Sequence, residues 1–311
     1  MTAVRRPRKV LLVLAVSLIV MGVVAITLLW LFRSPQATAR TTVDEVFHGL
    51  ATGDSDAISA AGIRVPDAAA QAFAAAEAYL SEPTITQLVK HDNSATADVT
   101  FQLDGATHTT TVQLTHADGA WSITEGLWGT LTATSTQGTH VAVGDALMTL
   151  DEQHPVLPAV YTVVAAPSSF LGGSATATVL PDAGGEAAVT AQLHESGRAF
   201  VQEAIEDYAR DCAAVTTALA ERCGLTVPWA ADLATLESVS VDIERMPRVE
   251  LAEMKPGADT ADFSAADGVV IVTVSGKTTA GSDEEFSYRS PQWMLTGTYS
   301  FEGDELIVRV R

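Results

Sequence analysis

An unbroken apolar run over residues 10–32 constrains this chain more than any other feature. Its 23 residues include only Ser17, Gly22 and Thr27 as small or mildly polar members. A helix rises ~1.5 Å per residue, so the run reaches ~34 Å, enough to cross a ~30 Å hydrocarbon core. Arg5, Arg6, Arg8 and Lys9 precede it without any acidic residue, and Arg33 follows. That charge asymmetry predicts a single-pass cell-membrane protein, with residues 1–9 cytoplasmic and the C-terminal bulk extracytoplasmic. Its expected partner is therefore the membrane itself, through one N-terminal helix. A cleaved signal peptide competes, because Ala37-Thr38-Ala39 has the small-x-small pattern that would place the cut after Ala39. Secretory apolar regions usually span only ~7–15 residues, which favours the anchor. Nine residues before the run are too few for an output domain, so the expected role of the helix is that of a tether.

Charge narrows the partners. The chain carries 18 Lys+Arg and 38 Asp+Glu, for a net charge of −20. Arg5, Arg6, Arg8, Lys9 and Arg33 lie in the first 33 residues, leaving 13 basic against 38 acidic groups beyond, or −25. Nucleic-acid binding needs a positive footprint, and the balance excludes it. An acidic surface of this kind serves solubility before any dedicated cation site.

Hydrophobic periodicity divides the remainder, which is longer than one typical domain. Thr42-Val43-Asp44-Glu45 is a capping-box pattern, and Val43, Val46, Phe47 and Leu50 follow at helical spacing until Gly53. Further helices are predicted over 55–61 and over 67–80, the latter from its alanines and its stop at Pro83. The period then becomes two. Strands are predicted over 85–91, 95–103, 107–116 and 121–125, joined at Asp92-Asn93, Asp104-Gly105 and Asp118-Gly119. Residues 128–193 are rich in Thr, Ala, Val and Gly and predict a small β-sandwich or barrel, with strands over 139–143, 159–165, 174–180 and 187–193. Helix returns around Phe200, Val201, Ala204, Ile205, Tyr208 and Cys212 and runs to Gly224. Strands over 238–244, 249–252, 269–278, 285–288, 294–301 and 305–310 complete the chain.

Within the first unit, the Val46-Phe47-His48-Gly49-Leu50 helix, the Thr52-Gly53-Asp54 stop and the late Asp118-Gly119-Ala120-Trp121-Ser122-Ile123 strand carry a resemblance. That unit resembles the NTF2-like (cystatin-like) α+β domains found outside bacterial membranes, and the third unit resembles a more distant copy. The middle segment, Leu157-Pro158-Ala159-Val160-Tyr161-Thr162-Val163, is similar to a small β module of teicoplanin-resistance-associated membrane proteins. Those proteins alternate such modules with NTF2-like domains after one membrane helix. The resemblance implies an α+β chain: tail 1–9, transmembrane helix 10–32, linker 33–39, an NTF2-like α+β domain over 40–127, a small all-β module over 128–193, and a second NTF2-like α+β domain over 194–311. NTF2-like folds host enzymes as well as pure binding modules, so the fold alone does not choose between them.

Candidate chemistry is sparse. Cys212 and Cys223 are the only cysteines and, on the exported side, are expected to pair. In one continuous helix, 11 residues would hold their Cα atoms ~16 Å apart, against ~7 Å tolerated by a disulfide, so the helix must break between them, near Thr216-Thr217. The seven histidines are scattered; His108 and His116 share a strand register but lie too far apart to share a ligand. Acidic groups at Asp54/Asp56, Asp283-Glu284-Glu285 and Glu302–Glu305 lack the spacing of a calcium loop and read as solvated turns. No hydrolase nucleophile motif or phosphate-cradling glycine loop is present. Trp121, Trp128, Trp229 and Trp293 suit core packing better than a binding cone. The sequence therefore predicts no catalytic, metal or cofactor residues. It points to a non-enzymatic, membrane-tethered binding protein of the cell envelope, with an envelope protein, a peptide or a wall component as partner. The alternative is an enzyme or small-molecule binder using an NTF2-like pocket.

Overall fold

The structure is a computed structural model that describes residues 38–214, 223–225, 227–255, 258 and 260–311. It is mostly β, with four α-helices among the described residues, and so corrects the predicted pair of NTF2-like α+β domains. Among the described residues no helix is long and apolar enough to cross a membrane. The run over 10–32 lies outside them, so the single-pass anchor, the membrane as partner and the localisation drawn from it are not supported. Ala39, after which a signal peptidase would cut, is the first residue of a helix and is buried in the core.

Helix α1 (Ala39–Thr52) begins at Thr38, whose side chain accepts from Thr41 N–H, and ends at Gly53 with φ 71°. Its face of Val43, Val46, Phe47 and Leu50 is buried. Helices α2 (Ser55–Ala60) and α3 (Asp67–Ala74) follow. They precede an antiparallel meander of β2 (Ser81–His91), β3 (Ser94–Leu103), β4 (Ala106–Ala117) and β5 (Ala120–Glu125). Its strands alternate as one-sided burial requires, with Val99, Phe101 and Leu103 inward. Phe47 meets Phe101 at 6.3 Å between ring centroids. Asp104-Gly105 and Asp118-Gly119 all adopt positive φ, from 53° to 81°, the geometry of tight hairpin turns.

The helix predicted over 67–80 stops at Ala74. Helix propensity is a weak term, and tertiary pairing overrides it. Residues Ala78–Tyr79 form a short strand, β1, that pairs with Val160 and Ala159 of β10 (Ala159–Ala166). Tyr79 Oη also donates to Phe73 O, closing the turn. The first unit thus contributes a strand to the middle sheet, in the order β1-β10-β7-β8 with β12 (Ser174–Val179) also on β10; β7 is His140–Val143 and β8 Ala146–Thr149. A second small sheet contains β6 (Gly129–Ser135) between parallel β13 (Gly184–Val189) and antiparallel β9 (His154–Val156). Strands β11 (Leu171–Gly172) and β14 (Gln192–Leu193) pair separately.

Helix α4 (Glu195–Ala213) leads to a sheet ordered β15-β17-β18-β19, with β16 also on β17. These strands are β15 (Thr235–Arg245), β16 (Arg248–Leu251), β17 (Thr260–Lys277), β18 (Asp283–Glu302) and β19 (Glu305–Val310). The sequence divides β18 into two strands around Pro291. The structure keeps one strand of 20 residues and absorbs the proline at a register shift beside the Gly268–Trp293 pair. A bulge tolerates a residue that cannot donate to the ladder. Buried apolar side chains from α1 through β19 belong to one continuous core.

A cleft between the middle strands and the last sheet

Five separate stretches of chain enclose a cavity of about 550 Å³. Thr136 and Gln137 follow β6, Thr190 and Ala191 lead into β14, Arg198 lies in the first turn of α4, and Leu251 to Met254 leave β16 beside Tyr299 of β18. The first turn of α4 is held close to β14 because residue 197 is glycine. A Cβ there would approach Leu193 Cδ1 to 2.6 Å.

Hydrogen bonds fix one wall. Thr136 Oγ1 accepts from Ala191 N–H at 2.9 Å and donates back to Ala191 O at 3.2 Å. Gln137 Nε2 also donates to Ala191 O, at 3.2 Å. A carbonyl only accepts, so this bond sets the orientation of the amide and turns Oε1 the other way. Gln137 Oε1 is buried and has no hydrogen-bond partner among the described residues. An unmet buried acceptor costs about 1–3 kcal/mol, so the position favours any incoming N–H.

The opposite wall carries charge. Buried Tyr299 donates its hydroxyl to Ala252 O at 2.7 Å and packs edge-on to Phe301. Burial raises the Tyr299 pKa; Arg198 works against that shift and Glu253 adds to it, so both charges act on the same phenol. Arg198 is exposed and makes no ion pair among the described residues, unlike Arg210, Arg289, Arg309 and Arg311.

Strand β16 supplies an open edge. Val249 N–H donates to Gln202 Oε1 at 2.9 Å, and Gln202 Nε2 donates to Pro247 O at 3.0 Å. A side chain of α4 therefore stands where a neighbouring strand would begin. Antiparallel alternation turns the N–H and C=O of Leu251 the same way as those of Val249, away from β17. A second cavity of about 350 Å³ adjoins here, sharing Arg198 and Leu251 with the first.

Cys212 and Cys223 are joined in a disulfide with Cα atoms 5.7 Å apart, away from the cleft at the other end of α4. The helix ends at Ala213, before the predicted break; Thr216 and Thr217 lie outside the described residues. Cys223 O accepts from Trp293 Nε1 at 2.7 Å, so the bond ties the helix end to the buried indole of β18. Histidines 108 and 116 lie against the rings of Phe101 and Trp121. Asp54 caps α2 through Ala57 N–H, and Asp283 pairs with Lys277. Among the described residues no group of three or more His, Cys, Asp or Glu could hold a metal ion.

Sequence reasoning named none of Thr136, Gln137, Arg198, Glu253 or Tyr299. Their one shared signal is faint: Arg198 is a lone cation in the first turn of a helix, where acidic residues are favoured. In comparisons with family models, curated proteins and solved structures, the chain matches none of them.

Proposed function

We propose that this chain is a non-enzymatic binding protein whose ligand site is the cleft between β14, the start of α4 and β16. The observation carrying this reading is a cavity of about 550 Å³ with Gln137, whose Oε1 is buried and unpartnered among the described residues, on one wall and Arg198, which makes no ion pair among them, on the other. Pockets of ~300–1,000 Å³ with a few fixed polar groups are the usual form of small-ligand sites. The polar groups here are suited to holding a ligand. Tyr299, with its pKa raised by burial, stays a neutral phenol at ordinary pH and is already committed to Ala252 O.

Equilibrium dialysis of the full chain against a defined mixture of amino acids, tripeptides, oligosaccharides and nucleotides tests the reading. Gln192→Trp serves as the filled-cleft variant, because Gln192 is exposed at the mouth and an indole there leaves the core untouched. At least one component should be retained by the native chain and released by the variant. Retention of nothing, or equal retention by both proteins, would overturn it.

A further inference from the structure

We propose, resting on that reading of the cleft, that its ligand is a short peptide with a free C-terminal carboxylate, bound extended along the open edge of β16. Three groups define this chemistry. The guanidinium of Arg198, which makes no ion pair among the described residues, is a planar fork of donors that matches a carboxylate in bidentate fashion. Gln137 lines the same cavity, and a small turn of its side chain brings the buried, unpartnered Oε1 to a peptide N–H. The N–H and C=O of Leu251 face the cavities shared with Arg198, and an extended backbone pairs with both at once. Gln202 already occupies Val249 N–H, so strand addition starts at Leu251 and proceeds toward Glu253.

The charge balance of the cleft separates this ligand from other anions. Glu253 lines the same cavity as Arg198, and both act on Tyr299. Glu195 lines the adjoining cavity, so one cation stands beside two carboxylates, a balance that disfavours a doubly charged phosphate and suits a ligand carrying a single carboxylate together with an ammonium. The free ammonium of a short peptide would further complement Glu253. An oligosaccharide would leave Arg198 without a counter-charge.

The test is dialysis of the full chain against a pooled tripeptide library with free C-termini, and against the same library amidated, with mass-spectrometric readout. The free-acid library should be retained at least ~10-fold better than the amidated one, as expected when one charge-assisted contact is lost. Arg198→Ala should abolish that preference and Arg198→Lys should restore part of it. Because Arg198 is exposed, both variants should melt within a few degrees of the native chain. N-methylation of the backbone amides should weaken binding by a similar factor, through loss of the pairing to Leu251. Equal retention of acid and amide, or an unchanged preference in Arg198→Ala, would overturn the peptide proposal. Retention of an oligosaccharide or nucleotide but no tripeptide would also overturn it while leaving the cleft as a binding site. Retention of nothing would remove both.

Discussion

At the scale of single residues, Gln137 shows a local sacrifice of stability. Its Nε2 is engaged with Ala191 O, while its Oε1 is buried without a partner. Gln137→Leu removes both the bond and the unmet acceptor. The two effects oppose each other, so stability should change by less than about 1 kcal/mol while ligand retention is lost. Chemical denaturation together with dialysis checks both halves, and a large loss of stability would show the amide to be structural. Tyr161 makes the opposite case. It is fully buried, its hydroxyl donates to Leu157 O, and its pKa is driven far above the ordinary value by burial, with a further push from Tyr79. The folded chain keeps this proton when the unfolded chain, titrating near pH ~10, releases it. Native protein then binds more protons than unfolded protein, so stability is full below pH ~10 and falls as pH rises beyond it. Tyr288, hydrogen-bonded to Asp232 and pushed up to about 12, adds a slope of the same sign. Melting curves between pH ~9 and ~11 should show a falling Tm. Tyr161→Phe should flatten that fall, at a cost near ~1 kcal/mol at neutral pH from the unpaired Leu157 carbonyl. An unchanged slope would remove Tyr161 from the alkaline transition.

Among the elements, the long hairpin of β17 and β18 depends on close backbone approach. Gly297 lies opposite Phe263; a Cβ there would come within 2.1 Å of Arg309 O and 2.5 Å of the Phe263 ring. Gly297→Ala should therefore destabilise by about 1–3 kcal/mol through overpacking, and should also disturb Tyr299 two residues on. Denaturant unfolding measures the first effect and ligand retention the second; a neutral alanine would mean the ladder yields easily there. Helix α4 depends on its ends. Its N-terminal turn presents Arg198 to the cleft, and its C-terminal turn carries the disulfide to Cys223. Closing a loop of this size contributes roughly 3 kcal/mol, largely by restricting the unfolded chain. Reduction, or the Cys212→Ser, Cys223→Ser double variant, should lower stability by about that amount. Much of any loss in ligand retention should return at low temperature, where the helix is still folded. The alanine-rich stretch after α3 carries the general lesson for elements. Its composition favours helix, yet Ala78–Tyr79 turn into a strand because β10 offers an edge that a helix would leave unpaired.

Taken whole, the molecule carries a net charge of −20, and Arg210, Arg289, Arg309 and Arg311 make exposed ion pairs. Self-repulsion at that charge should be screened by salt, so raising ionic strength from about 0.01 to 0.15 M should increase Tm. Thermal melts across that series check it, and a falling Tm would mean that the exposed ion pairs outweigh the repulsion. Local features were legible in the chain. Thr42-Val43-Asp44-Glu45 marked the first helix, though its cap is Thr38; the two Asp-Gly turns set positive φ at the hairpins; alternation placed the meander strands; and two cysteines in the whole chain could pair only with each other. Each of these depends on neighbours in sequence, or on the absence of any rival partner. The mostly β architecture, the uninterrupted β18 through Pro291, the transfer of Ala78–Tyr79 to a different sheet and the cleft itself were not legible. Helix propensity amounts to tenths of a kcal/mol per residue and yields to strand pairing and burial between distant segments. Gln137, Arg198 and Tyr299 stand far apart along the chain, and nothing in the period or composition around any one of them refers to the others. The sequence by itself determined the turns, the amphipathic faces and the disulfide partners, because those are short-range or forced choices. Only the tertiary structure decided which edges meet and which polar atom is left without a partner, because that follows from packing the whole chain at once.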